Sequence, residues 1–382
     1  MSLRALEGGT NAAMKHNPLQ RLATLGQSVW LDDIRRASLA DGTLARLIEQ
    51  DGVSGLTSNP AIFERSITKD PDYDEAIAAA RRAGVSAAVL YEELAVDDIR
   101  RAADLLLPVY QASGKRDGYV SLEVSPEIAD QTSATIKEAR RLWARVARPN
   151  LMVKVPGTEA GLPAMRTLVA SGINVNVTLL FSVAQYRRNV YAYLLGVEDA
   201  VRNGVRPGAS VASFFLSRID AHVDPHLNGL RAPRTTALRG QAATACARLA
   251  YEEFRGLYTS SYWQTLAAKD VEPQRLLWAS TSTKDKRYSD VKYLDDLVIP
   301  GTITTVPIDT LAAYRDHGNP ALPIGERLIE SHAVSGELTM LGLELDGLGE
   351  LLQREGVRKF RIAYQQLLAA LDRRIHGHEV TA

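Results

Sequence analysis

Leu151-Met152-Val153-Lys154-Val155-Pro156, followed by Gly157, is a short apolar run closed by proline and glycine. Such a run reads as a buried strand whose last residues open onto a loop. Its one cation is Lys154. Burial disfavours the charged form of an ammonium, so a lysine here is expected to be partly free amine, the form that attacks a carbonyl. A structural lysine neutralised by a buried carboxylate is the plainer alternative, and only the neighbouring strands decide between the two.

Seven similar runs flank this one, at 28–33, 55–60 and 119–124 upstream and at 174–180, 209–215, 275–280 and 303–307 downstream. Helix-period segments separate them. Ile128, Thr132, Ile136, Ala139, Leu142 and Val146, for example, recur at helical spacing behind Ser125-Pro126-Glu127, which reads as an N-cap followed by a first-turn proline. Strands alternating with helices argue for parallel pairing through right-handed crossovers, and this number of units closes naturally into a (β/α)8 TIM barrel. An open doubly wound sheet would announce itself by a glycine-rich phosphate loop after the first strand, and none is present.

A barrel needs only about 250 residues, and this chain has 382. The surplus lies in the N-terminal segment, in enlarged second and sixth crossovers, and in a tail where Phe360, Tyr364, Leu367, Leu368, Leu371 and Ile375 form a helical apolar stripe. The expected organisation is one structural domain: an N-terminal extension over 1–27, the catalytic barrel over 28–310, and a C-terminal helical extension over 311–382 packed on the barrel. Met1 to Asn17 lacks the apolar centre of a secretory signal and reads as a flexible leader or a misassigned start.

Lysine plus arginine equals aspartate plus glutamate at 45 each, so no overall positive field is available to hold nucleic acid or an anionic membrane. No apolar run approaches a membrane span. The lone cysteine, Cys246, can form no internal disulfide, and a cytoplasmic location is the default expectation. Monomer and homodimer are equally compatible with the sequence.

In a barrel the C-terminal ends of all strands meet at one mouth. There the sequence offers Asp32, Thr57, Asn59, Glu123, Lys154, Asn176, Thr178, Ser213 and Ser280. Satisfied polar core residues would account for any one of them, but poorly for the set. A lysine with two carboxylates and neutral donors is the equipment of imine chemistry: an amine adds to a ketone, an acid expels water, and a base removes a hydroxyl proton to break a carbon–carbon bond. Asn59 and Asn176 can hold sugar hydroxyls. Arg218, after the sixth strand, and Lys284, after Ser280, are placed to grip a phosphate, although each alone also reads as a solvated surface cation.

The runs Trp30-Leu31-Asp32, Leu56-Thr57-Ser58-Asn59-Pro60, Ser121-Leu122-Glu123-Val124, Met152-Val153-Lys154-Val155-Pro156, Asn176-Val177-Thr178-Leu179-Leu180-Phe181-Ser182 and Ser213-Phe214-Phe215-Leu216-Ser217-Arg218 together resemble the transaldolase family, in that family's order and in the style of its longer bacterial members. The resemblance implies Lys154 as the Schiff-base lysine and Asp32 as the acid/base at the hydroxyl of the cleaved bond. Glu123 and Thr178 would position the water of imine formation and hydrolysis. It further implies Asn59, Asn176 and Ser213 around a dihydroxyacetone unit, with Thr57 and Phe215 as further substrate-binding residues, and Arg218 with Ser280 around a phosphate, for which Lys284 is assigned as the second cation. Shorter members carry an arginine two residues after the serine that aligns with Ser280, whereas this chain has Ser282 there and Lys284 two further on.

The implied partners are small sugar phosphates: a ketose phosphate donor such as fructose 6-phosphate or sedoheptulose 7-phosphate, and an aldose phosphate acceptor. No metal and no organic cofactor is expected. Related lyases that release free dihydroxyacetone tend to have glutamine at the position of Glu123 and tyrosine at that of Phe215, so the pair present here favours transfer. A sugar-phosphate-binding barrel without turnover is the remaining rival.

Overall fold

The computed structural model describes residues 17–230, 233–321 and 324–376. The eight strands are β1 (Ser28–Leu31), β2 (Val53–Thr57), β3 (Val120–Glu123), β4 (Leu151–Pro156), β5 (Val175–Leu180), β6 (Ser210–Phe215), β7 (Arg275–Ala279) and β8 (Ile303–Val306). All pair in parallel and in chain order, β8 returning to β1, so the sheet is a closed barrel as the alternation predicts. Every residue of β4, β5 and β6 is buried, because the helices cover one face of the sheet and the filled barrel the other.

Register places the chemistry. Glu123 pairs with Lys154 and Lys154 with Asn176, and paired residues of parallel strands point to the same side. The three side chains therefore form one row across β3, β4 and β5, facing the barrel axis. The opposite end of the barrel is plugged. Trp30 is wholly buried there, and a Cβ on Gly55 of the adjacent strand would lie 2.5 Å from its indole, so only glycine lets that ring fill the barrel. Arg275 closes the floor by donating to Ser28 Oγ at 2.6 Å, with Asp117 at 3.8 Å.

Several local expectations shift. β2 starts two residues before Gly55, at Val53, which pairs with Val29. Ser125 caps only a 3-10 turn, Pro126–Ile128; the chain is extended at Gln131 (φ −128°) and the α-helix begins afresh at Thr132. The enlarged second crossover comprises helices Pro60–Lys69, Asp74–Ala83 and Ala87–Ala112, and the sixth comprises Ser217–Gly229, Pro233–Leu238, Ala242–Tyr258 and Ser261–Ala267.

The helix after β8 runs Ile308–His317, with residue 310 inside it, and the tail folds as Ile324–Met340 and Leu345–His376. Phe360, Leu367, Leu371 and Ile375 of the last helix are buried, and Tyr364 meets Tyr91 edge-on at 5.6 Å. The last helix thus lies on the enlarged second crossover, whereas Ile324–Met340 packs on Ala242–Tyr258 of the sixth. Cys246 is buried, its thiol directed at the Phe181 carbonyl. No helix among the described residues is long and apolar enough to cross a membrane. The leader expected over 1–17 falls outside them except for Asn17, which caps the first helix by accepting from Leu19 N.

Candidate active site

A cavity of about 430 Å³ opens at the C-terminal ends of the strands. Asp32, Thr57, Asn59, Lys154, Thr178, Ser213, Phe215, Arg218, Ser280 and Lys284 all line it. Of the residues singled out in the sequence, Glu123 and Asn176 alone are behind this lining, each touching a residue that belongs to it. The strand-end geometry of a barrel is what gathers them.

Lys154 is 4% exposed. Its Nζ donates to the Ser58 carbonyl at 3.1 Å, stands 3.7 Å from Glu123 Oε2, and lies 6.0 Å from the ring centre of Phe360. Glu123 is itself buried, and its Oε2 has no hydrogen-bond partner among the described residues. Burial pushes the Glu123 carboxyl up to about 7, against the opposing pull of Lys154. Near neutral pH this group can therefore give or take a proton beside the amine.

The raised value has a consequence for stability. A carboxyl raised from 4.5 to about 7 contributes stability that is fully present below pH 4.5 and is lost as pH rises through 7. Glu123→Gln should match the wild type in thermal unfolding at pH 4.5. At pH 8 it should be the more stable of the two, by on the order of 3 kcal/mol. A pH-independent difference would contradict this.

The other polar residues form two short chains. Thr57 Oγ1 donates to Asp32 Oδ1 at 2.7 Å and is 2.8 Å from Thr305 Oγ1. Ser213 Oγ donates to Asn176 Oδ1 at 2.7 Å, and Asn176 Nδ2 to Ser121 Oγ at 3.0 Å. Asn59 is beyond β2 as the N-cap of Pro60–Lys69, its Oδ1 accepting from Ile62 N at 3.1 Å, which leaves its amide NH2 as donor. Thr178 Oγ1 is buried and unpartnered among the described residues.

At the other wall Arg218 begins the helix Ser217–Gly229 with its guanidinium 5.5 Å from the ring centre of Phe215. Its Nη1 is buried and finds no partner among the described residues. Desolvation holds the Arg218 guanidinium below the usual arginine range; the Lys284 ammonium is lowered by desolvation and then by Arg218. Two cations held together, neither of them in an ion pair among the described residues, fit an anion. The loop that carries Lys284 is fixed by Tyr288, whose hydroxyl donates to buried Asp224 at 2.6 Å, and by Tyr293, which donates to Asp220 at 2.8 Å.

Sequence reasoning missed Ser282, Arg65, Thr305 and Phe360, which also line the cavity. Ser282 accepts from Lys284 Nζ at 2.9 Å, so Ser282-Thr283-Lys284 supplies a serine and a cation at a spacing of two, whereas Ser280 has its Oγ at 2.8 Å from Ser217 Oγ. That spacing was legible. Arg65 could have been found as the residue one turn after Ala61 and Ile62 on the helix that Asn59 caps. Phe360 arrives from the tail, and no local pattern announced it. Among the described residues no group of three or more His, Cys, Asp or Glu side chains is arranged to hold a metal ion.

The family model described as transaldolase/fructose-6-phosphate aldolase matches residues 29–371. The chain belongs to that family. Its relatives include proteins named transaldolase from Thiobacillus denitrificans, 46% identical over 93% of this chain and 99% of that one, and transaldolase 2 from Nostoc sp., 43% identical over 95% and 98%. Transaldolase 1 from Streptomyces coelicolor is 43% identical over 97% of this chain and 98% of its own length. The family match includes every residue of the cavity, Phe360 of the tail among them.

Proposed function

We propose that this protein is a transaldolase, moving a dihydroxyacetone unit from a ketose phosphate such as sedoheptulose 7-phosphate or fructose 6-phosphate to an aldose phosphate such as glyceraldehyde 3-phosphate or erythrose 4-phosphate. The observation that carries the reading is a buried lysine beside a carboxyl poised near neutrality, opening into the same cavity as Asp32. In this scheme Glu123 takes a proton from the Lys154 ammonium, and the amine adds to the ketose carbonyl. Water, positioned by Glu123 and Thr178, leaves as the imine forms. Asp32 then removes the proton of the hydroxyl next to the bond to be broken. The carbon–carbon bond cleaves, its electron pair passes to the protonated imine, and the aldose phosphate departs.

An acceptor aldose phosphate enters, the steps reverse, and water releases the new ketose. The imine is the electron sink, so the scheme uses no metal and no organic cofactor. Thr57, Asn59, Asn176, Ser213 and Phe215 surround the dihydroxyacetone unit, while Arg218, Lys284 and Ser280, now with Ser282, hold the phosphate. The reading places the enzyme in the cytoplasm, in the non-oxidative pentose phosphate pathway.

The deciding experiment supplies a ketose phosphate with and without an aldose phosphate and follows both sugars. Transfer that depends on the acceptor supports the reading. Release of free dihydroxyacetone with donor alone would replace it by the lyase, and no turnover would leave a binding barrel. Arg218→Ala should raise KM for the ketose phosphate about 100-fold, as expected for loss of a charge-assisted phosphate contact. It should change the rate with unphosphorylated fructose as donor and unphosphorylated glyceraldehyde as acceptor less than about three-fold. Equal losses on both donors would remove Arg218 from the phosphate site.

A further inference from the structure

We propose that Gln353, on the C-terminal helix Leu345–His376, is a positioning residue that aims the Thr178 hydroxyl into the active site. The inference rests on the role given above to Thr178. It starts from an irregularity in β5. The register between β5 and β6 shifts between Val177 and Leu180, and Leu179 within that step has φ +64°. A branched residue keeps a left-handed backbone only where its surroundings over-determine it, and such positions cluster at functional sites.

Here the surroundings are the tail. Gln353 is buried, and its Nε2 donates one hydrogen to Leu179 O at 3.0 Å and the other to Gly157 O at 2.9 Å. One amide thus satisfies a carbonyl at the end of β4 and a carbonyl in the irregular step of β5. Gly157 N in turn donates to Thr178 O at 2.7 Å, closing the joint between the strand of Lys154 and the strand of Thr178. One turn further along the helix, Gly356 makes room for the Leu179 side chain: a Cβ there would lie 2.8 Å from Leu179 Cδ2.

Leu179 is therefore held at its carbonyl by Gln353 and at its side chain by the helix surface. Thr178, the residue before it, has a buried hydroxyl with no partner among the described residues. No bond to that hydroxyl among the described residues fixes its direction. The backbone on either side does, and Gln353 fixes that backbone. Gln353 acquires by this route a part in the chemistry without touching substrate.

A double-mutant cycle with kcat, KM and thermal unfolding tests the assignment. Gln353→Ala leaves space that a water can fill; Gln353→Met keeps the side-chain volume without the donors. In the folded variants kcat should fall about ten-fold with KM within about two-fold, and in the Thr178→Ala background the same change should alter kcat by less than about two-fold. An undiminished kcat, or a ten-fold fall in both backgrounds, would overturn the proposal. Loss of the folded state in both variants would assign Gln353 to stability and overturn it too. Thr178→Ala with full activity would instead refute the role given to Thr178, a result that the single mutant alone reports.

Discussion

Lys154→Met should lose transfer activity by at least about 10⁴-fold in kcat/KM, with the fold retained. Methionine keeps an unbranched apolar chain of similar length in a position that is 4% exposed, so packing is conserved while the nucleophile is removed. The usual objection to deleting one member of a buried ion pair is the charge left behind. That objection is weak here, because Glu123 already has its carboxyl at about 7 and Lys154 is what pulls it down. Without the lysine, Glu123 becomes neutral and costs little.

Borohydride with a ketose phosphate should add the mass of the reduced adduct to the Lys154 peptide of the wild type and to no peptide of the variant. Adduct on another lysine, or residual transfer within ten-fold of wild type, would end the imine scheme at this position. The barrel itself would stand.

The sequence revealed more of the barrel than of what surrounds its mouth. Each strand could be read because apolar runs of a few residues ended in proline, glycine or polar residues, and alternation with helical periods left little choice of topology. Lys154, Asp32, Glu123 and Thr178 could be read for the same reason: strand ends converge in a closed barrel, so position along a strand stands in for position in space. Gln353, Gly356 and Phe360 had no such rule. They lie on a helix whose apolar stripe says that it packs but not on what, and their partners in β4 and β5 are far away in sequence. The cap at Ser125 failed for a local reason, since a serine–proline start serves a single turn as well as a helix.

Asp32→Asn should trap the imine as fast as wild type, yet slow carbon–carbon cleavage by about 10²–10⁴-fold, the range for loss of a general base. The amide oxygen of asparagine can still accept from Thr57, so the 2.7 Å contact and the cavity wall persist while the proton acceptor is gone. Geometry separates the duties of the two acids. Asp32 lines the cavity and can meet a substrate hydroxyl, whereas Glu123 is behind the lining with Lys154 Nζ 3.7 Å away. Glu123→Gln should accordingly slow trapping itself, by removing the group that exchanges protons with the amine and its water. Borohydride trapping and single-turnover cleavage, measured on both variants, give a crossed pattern only if the acids divide the work in this way. If Asp32→Asn fails to trap while Glu123→Gln traps normally, the roles are exchanged. If both variants lose both steps together while remaining folded, the pair acts as one proton-sharing unit and the separate roles fall.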